Sequence, residues 1–184
     1  MSLSKTEIDL FFKLHPALLQ YVNQRKKIFP DIKSGEDLRQ AGVDFVGKPW
    51  TELWNDPTFI DDFVSENPEK FSENEIEIVR SWKHFISGNF YIFRHLKKYT
   101  IFLTEEYPAR AYGVQHLNTP LVEMFLYPPV YTKAVLLPLC GQIIYDGILQ
   151  PHSITFGRGF QFDLNESYKE AKSRFGIIEK IDFN

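Results

Sequence analysis

The spacing of the apolar residues changes its period close to Gly88, and this change constrains the fold more than any other feature of the sequence. Before it, Ile76, Val79 and Trp82 recur every three residues, which places their side chains on one face of a helix. After it, residues 90–103 are rich in aromatic and β-branched types, which favour strands. The change predicts an α+β fold in which helices come first and strands follow.

The length and composition are those of one compact domain. The chain has 184 residues, 43% of them hydrophobic, and a domain of this size buries roughly 70% of its unfolded surface without help from a disulfide or a metal. No repeat, low-complexity tract or long linker divides it. We therefore predict a single domain over residues 1–184, with a helical half at 1–87 and a β-rich half at 88–184.

Helix starts are marked by a Ser or Asp followed three residues later by Glu, because the two residues satisfy the first backbone N–H groups reciprocally. Three such pairs predict helix starts: Ser4 with Glu7, Ser72 with Glu75, and Asp163 with Glu166. Gly88 is the predicted stop of the second of these helices. Pro16 either kinks the first helix or restarts it. The third pair predicts an amphipathic helix over residues 164–175, which Gly176 ends.

The β-rich half reads as a series of hairpins. Leu96-Lys97-Lys98 suits a turn between two strands, residues 109–115 form a third candidate strand, and Gly141 marks a turn between two more. Pro138 restricts its strand to an edge or a bulge. The sequence therefore predicts an antiparallel β-meander, either an open sheet or a small barrel, closed by the helix at 164–175.

Cys140 is the only cysteine, so the chain forms no internal disulfide, and a reducing compartment is expected. No apolar run is long enough to span a bilayer, and the N-terminus lacks the pattern of a secretory signal. We predict a cytoplasmic protein that does not bind a membrane.

The candidate catalytic residues are Cys140, His84, His95 and Arg94. A thiolate and an imidazole could form a nucleophile pair, but the local signatures of cysteine hydrolases are absent. Cys140 precedes a turn glycine in an apolar strand, which favours a small buried hydrophobic residue. No two histidines are spaced as zinc ligands, so the sequence predicts no metal site and no cofactor.

Two short motifs could bind anions or nucleic acid. Residues 91–99 interleave basic and aromatic side chains, which can stack bases and neutralise phosphates, but the net charge of −3 favours an ordinary hairpin instead. The glycines around Arg158 could present N–H groups to an anion, although a cap at Asp163 favours a structural turn. Residues 128–131, Pro-Pro-Val-Tyr, match a short peptide-docking pattern and are interpreted as an extended entry into a strand.

The charge is unevenly distributed along the chain. Nine acidic residues and one lysine lie between Glu52 and Glu77, and Asp61 and Asp62 are adjacent near the middle of this stretch. Such a surface could attract a basic partner, with Trp50 and Trp54 as anchors if their side chains are exposed. The alternative is the solvated face of several short helices.

Residues 67–176 resemble uncharacterised prokaryotic proteins of no established activity. The resemblance is carried by Trp82-Lys-His-Phe-Ile-Ser-Gly88, by Leu137-Pro-Leu-Cys-Gly-Gln-Ile-Ile-Tyr-Asp-Gly147 and by Leu164-Asn-Glu-Ser-Tyr168. It implies a microbial origin and no catalytic residues.

Three functional hypotheses follow from the sequence. The first is a non-catalytic binding or regulatory module that recognises another macromolecule, with a protein as the expected partner. The alternative is a hydrolase-type enzyme whose site, drawn from Cys140, His84, His95, Arg94 or Arg158, is assembled only in three dimensions. Nucleic-acid binding ranks third and is not expected. The sequence defines no oligomeric state.

Overall fold

A computed structural model describes residues 3–182 and confirms an α+β architecture. The chain divides into two compact units, a helical unit of residues 5–83 and a β unit of residues 84–182, to which residues 3–4 also belong. Strands begin at Ile86, close to the predicted change of period. The grouping of the two halves in one domain stays a prediction.

The helical unit is built around one long helix. Its helices are α1 (Lys5–Lys26), α2 (Gly35–Gln40), α3 (Val43–Asn55), α4 (Thr58–Glu66) and α5 (Glu73–Ser81). The side chains of Leu14, Leu18 and Val22 are fully buried in α1, at the spacing of one helical face. α1 continues through Pro16 without a restart, because burial of both flanking turns stabilises the helix across the proline.

The predicted capping box at Ser72 and Glu75 is confirmed at the start of α5, where the backbone N–H of Ser72 donates to the Glu75 carboxylate at 2.9 Å. The predicted stop of this helix at Gly88 is wrong. α5 ends at Ser81, a short 3-10 helix, Trp82–His84, follows, and Gly88 lies inside the first strand.

The backbones of α1 and α2 approach closely at Gly35. A Cβ atom at Gly35 would lie 2.5 Å from the carbonyl oxygen of Pro16 and 2.9 Å from the backbone nitrogen of Ala17. These are backbone atoms, so a side chain at position 35 requires one helix to move. Glycine is needed here for space, because any Cβ atom would overlap α1.

We expect Gly35→Ala to lower the free energy of unfolding by about 1–3 kcal/mol, the usual cost of overpacking. Gly47→Ala is the matched control, because Gly47 lies in α3 and a Cβ atom added there would meet no neighbouring group within 4 Å. Helix propensity alone should make the control up to about 1 kcal/mol more stable. Urea denaturation of both variants checks this, and a gain in stability from both would contradict the close approach.

The β unit contains six strands and two helices. The strands are β1 (Ile86–His95), β2 (Thr100–Thr104), β3 (Ala111–Gln115), β4 (Val130–Leu139), β5 (Gln142–Pro151) and β6 (Ile177–Ile178). The helices are α6 (Leu121–Met124), between β3 and β4, and α7 (Arg158–Phe175), between β5 and β6. The strand order in the sheet is β2-β1-β4-β5-β3-β6, and β2 also pairs with β3.

The prediction of a purely antiparallel meander is wrong, because the sheet is mixed. β1, β2 and β3 form an antiparallel meander and β4 pairs antiparallel with β1 and β5, as expected. β3, however, runs parallel to β5 and to β6. The connection through α6 places β4 on the side of β1 that faces away from β2. β5 and β6 then lie beside β3 and run in the same direction as β3.

The two predicted hairpins are confirmed. Residues 96–99 connect β1 and β2, with the backbone N–H of Leu96 donating to the carbonyl of Tyr99 at 2.9 Å. Cys140 and Gly141 connect β4 and β5 as a two-residue loop, and both have positive φ angles, 48° and 75°, as the tight turns favoured in hairpins require. Pro138 is tolerated because the pairing of β4 with β1 ends at Leu136.

α7 covers one face of β1, β2 and β3 through an apolar cluster. The cluster consists of Phe93, Ile101, Leu103, Ala109, Ala111, Leu164, Tyr168 and Ala171. The stop at Gly176 is confirmed, with φ of 72°. The predicted start is wrong, because α7 begins at Arg158 and Asp163 lies inside the helix. Residues 158–163 add about one and a half turns to the predicted helix, and Phe160 in this part contacts the rings of Tyr91 and Phe156. A local cap signal does not predict this extension.

Candidate functional site

Five aromatic side chains of the β unit form a continuous, partly exposed cluster, which we call the aromatic platform. Its members are Tyr91, Tyr131, His152, Phe156 and Phe160. The ring centroids of Tyr91 and Tyr131 are 5.0 Å apart, and those of Tyr131 and His152 are 5.1 Å apart. Phe156 and Phe160 stack with centroids 4.7 Å apart. His152 and Phe160 are exposed, and the other three rings are half-buried.

The sheet register brings the platform together. Tyr91 of β1 is paired directly with Tyr131 of β4, so their side chains leave the same face of the sheet. Phe90, the neighbour of Tyr91, points to the opposite face and is buried beside Phe102. The backbone N–H of His152 donates to the carbonyl of Tyr131 at 2.8 Å, which fixes the third ring beside the first two.

Phe156 and Phe160 reach the platform from the start of α7. They flank the N-cap residue Gly157 and lie four residues apart, so the first turn of α7 places Phe160 back over Phe156. Both rings also contact Tyr91, at centroid distances of 5.8 and 5.6 Å. The β1 strand and the first turn of α7 are thus joined by ring contacts.

Glu105, in the connection between β2 and β3, fixes the polar edge of the platform. Its carboxylate accepts a hydrogen bond from the hydroxyl of Tyr131 and another, at 3.1 Å, from the side-chain amide of Asn89. The hydrogen bond to Glu105, together with partial burial, raises the pKa of Tyr131 to about 12. The phenol therefore stays protonated at neutral pH, and its ring is held in one orientation.

A groove of about 550 Å³ opens beside the platform. It lies between the segment that enters β4 and the segment that leaves β5. Its lining residues are Tyr127, Pro128, Pro129, Val130, His152, Ser153, Ile154, Thr155, Phe156 and Gln161. None of these is Lys, Arg, Asp or Glu, so the lining carries no formal charge when His152 is neutral. Tyr127 is 87% exposed and Ile154 is 50% exposed, although both are apolar or amphipathic.

No family model, curated protein or solved structure matches the chain. The resemblance to uncharacterised prokaryotic proteins stays a prediction.

The structure does not bring the four candidate catalytic residues together. His84 precedes β1 and Cys140 follows β4 at the same end of the sheet, because Ile86 pairs with Leu136. Arg94 and His95 are at the other end of β1, and ten extended residues span about 30 Å. A site that combines all four residues is therefore not formed.

His95 and Arg94 have structural partners in the β unit. The ring nitrogens of His95 lie 2.9 Å from the hydroxyl of Thr100 and 2.8 Å from the carbonyl oxygen of Phe125. Since a carbonyl only accepts, Nε2 of His95 carries a proton. The guanidinium of Arg94 donates to Asn165 at 3.0 Å and lies over the ring of Tyr168. These contacts fix the segment after α6 and the helix α7 to the sheet.

The interpretation of Cys140 as a buried hydrophobic residue is wrong. Cys140 is exposed, because it occupies the first position of the β4–β5 loop rather than the strand itself. Arg158 is also exposed, in the first turn of α7. Within residues 3–182, no three side chains of His, Cys, Asp or Glu gather where they could hold a metal ion. No helix in this range has both the length and the apolar character needed to cross a membrane.

The basic and aromatic residues of the β1–β2 hairpin are engaged by the C-terminal part of the chain. Lys98 forms an ion pair with Glu179, and the hydroxyl of Tyr99 donates to the same carboxylate at 3.0 Å. The ring of Phe93 is buried against Tyr168, at a centroid distance of 5.1 Å. These side chains therefore hold the C-terminal part of the chain to the hairpin, and the interpretation that the hairpin does not bind nucleic acid stays a prediction.

The acidic stretch of the helical unit is largely paired with cations of the same unit. Five of its nine carboxylates take part: Glu52 with Lys26, Asp61 with Lys83, Glu66 with Arg25, Glu75 with Lys13 and Glu77 with Arg80. Asp62 is exposed. Trp50 and Trp54 are 3% and 9% exposed, because both face the core from α3. The two tryptophan side chains are therefore not exposed and do not serve as anchors for a partner.

Proposed function

We propose that the chain is a non-catalytic binding module that holds an extended segment of another macromolecule on the aromatic platform and in the adjoining groove. The observation that carries this proposal is the joining of five rings into one partly exposed surface beside an uncharged groove. Exposed aromatic side chains provide large contact areas at low entropic cost, which is why they are enriched at binding surfaces.

We further infer that the β unit is a small, partly open barrel. β1, β2, β3, β5 and β4 each pair with two of the others, and a short helix lies between β3 and β4. This strand arrangement resembles that of five-stranded oligonucleotide- and oligosaccharide-binding barrels, which bind ligands on the face formed by β2 and β3. Here that face packs against α7, so the platform on β1 and β4 is the more accessible surface.

The enzyme alternative receives less support from the geometry. Its candidate residues are distributed over two ends of the sheet, and His95 and Arg94 already hold structural hydrogen bonds. A nucleophile and its base must lie within about 3 Å of each other, directly or through a third group. A binding module needs no such pair, and the arrangement of the rings is consistent with binding.

The proposal can be tested by NMR on the full chain labelled with nitrogen-15. Three probes are added separately: decaproline, a twelve-nucleotide oligothymidine and cellohexaose. We expect at least one probe to shift the amide signals of Tyr131, His152 and Phe156 more than those of the helical unit. If no probe does so, or if the shifts concentrate at the acidic residues between Glu52 and Glu77, the proposal is wrong.

A further inference from the structure

The uncharged lining of the groove indicates what kind of chain it can hold. Resting on the function proposed above, we propose that the groove between Tyr127 and Phe156 binds a proline-rich peptide segment in the polyproline II conformation. Such segments are recognised by aromatic-lined grooves, and their preformed conformation reduces the entropy lost on binding. The proposal assigns a ligand class to the groove and leaves the identity of the partner open.

The charge of the groove argues against a nucleic acid. Proteins that bind single strands place Lys and Arg along the path of the phosphates, because neutralising the phosphates supplies most of the affinity. The lining contains neither residue. An acidic or basic peptide would likewise lack a charged counterpart there. An uncharged segment matches this lining without burying an unpaired charge.

The polar groups of the groove fit a peptide better than an oligosaccharide. Sugars present many hydroxyl groups, each of which loses hydrogen bonds to water when it is buried without a partner. The lining offers hydroxyls and one imidazole but no carboxylate, and its one carboxamide, that of Gln161, already donates to the carbonyl of Phe156 at 3.2 Å. Val130, Ile154 and the prolines of the lining add only apolar surface.

A polyproline helix matches the remaining groups. It has three residues per turn and no internal hydrogen bonds, so its rings present apolar surface while its carbonyl oxygens remain free to accept. The ring of Phe156 and the exposed ring of Tyr127 offer aromatic surface to the proline rings. The hydroxyls of Ser153 and Thr155 are donors available to a carbonyl oxygen.

Tyr127 provides a test that does not disturb the fold. Its side chain is 87% exposed, and Tyr107, which lies outside the groove, is 81% exposed, so Tyr127→Ala and Tyr107→Ala form a matched pair. The affinity of the full chain for fluorescein-labelled decaproline is measured by anisotropy, with a Gly-Ser decapeptide as the flexible control. We expect Tyr127→Ala to weaken decaproline binding about tenfold, as for the loss of an aromatic anchor.

Tyr107→Ala is expected to leave the affinity within about twofold of the wild type, and Ile154→Ser to weaken it several-fold, since Ile154 lines the groove. Equal effects of the two tyrosine variants, or equal binding of the Gly-Ser peptide, would overturn the assignment of the groove. Binding of oligothymidine or cellohexaose at the platform, with no binding of decaproline, would overturn the ligand class but leave the proposed function in place. Binding of none of the three would overturn both.

Discussion

Lowering the pH from 7 to 4 is expected to destabilise the helical unit by about 3 kcal/mol through one residue, His15. His15 is buried in α1, where its ring stacks on Phe11 at 4.9 Å and lies edge-on to Trp82 at 5.8 Å. Its Nε2 atom has no hydrogen-bond partner among the described residues. Because burial penalises the charged form, the pKa of His15 is lowered from 6.5 to about 3.

The direction follows from the protons bound in each state. Between pH 6.5 and about 3, the His15 side chain is protonated in the unfolded chain and neutral in the folded chain. The unfolded state therefore binds the extra proton, and stability falls as the pH falls, by up to about 1.4 kcal/mol per pH unit. Well above pH 6.5 both states are neutral, and His15 contributes no pH dependence there.

The measurement is urea denaturation at pH 7, 5.5 and 4, followed by tryptophan fluorescence. His15→Phe is the control, because it keeps an aromatic ring beside Phe11 but cannot titrate. The pKa values of Glu36 and Glu75 are lowered to about 2, because each carboxylate accepts a hydrogen bond from a cation. Both groups therefore also make the protein less stable in acid. The difference between the wild type and the variant isolates His15, and equal losses in both would contradict the prediction.

Replacing Tyr168 with alanine is expected to lower the free energy of unfolding by about 3–5 kcal/mol, the usual cost of removing a buried aromatic ring. Tyr168 is 8% exposed, and its ring packs against Phe93 at a centroid distance of 5.1 Å while Arg94 lies over its face. The variant loses the ring contact, the cation–π contact and the filled volume beneath α7.

Tyr107→Ala provides the control for this substitution, since the same side chain is removed from an exposed position, where it makes only a surface hydrogen bond to Glu170 of α7, and should cost less than about 1 kcal/mol. Chemical denaturation gives both values. A loss below about 1 kcal/mol for Tyr168→Ala would mean that α7 is not held to the sheet by the apolar cluster. Hydrogen exchange would locate the effect, because the amides of α7 and β2 should lose protection first.

Local signals are sufficient to predict several element ends. The Ser72 and Glu75 capping box, the turn at Gly141 and the stop at Gly176 each depend on the backbone geometry of a few neighbouring residues, and all three are confirmed. A local signal also explains why the predicted start of α7 is wrong. Asp163 and Glu166 have the spacing of a cap, but ring contacts made by Phe160 extend the helix beyond it.

The parallel pairings and the aromatic platform could not be predicted from the sequence. Parallel pairing of β3 with β5 joins residues far apart along the chain, such as Val114 and Ile143, and no local pattern specifies such a pair. The platform likewise combines rings from β1, β4, the end of β5 and α7. The motifs Pro128–Tyr131 and Phe156–Phe160 contain three of its rings and are recognisable in the sequence. Only the register of β1 and β4, however, brings these rings together with Tyr91.

The paired strands of the β unit have a consequence for association with other chains. An unpaired strand edge is a template on which another chain can add, and this makes edges the usual starting points of aggregation. Each of the strands β1 to β5 has hydrogen-bonded neighbours on both sides over at least part of its length, and the terminal strand, β6, is only two residues long. Closure is incomplete, because within the described residues β3 pairs with β5 only at Ile143 and Ile144, and the edge of β5 beyond Ile144 remains the place where another chain could pair.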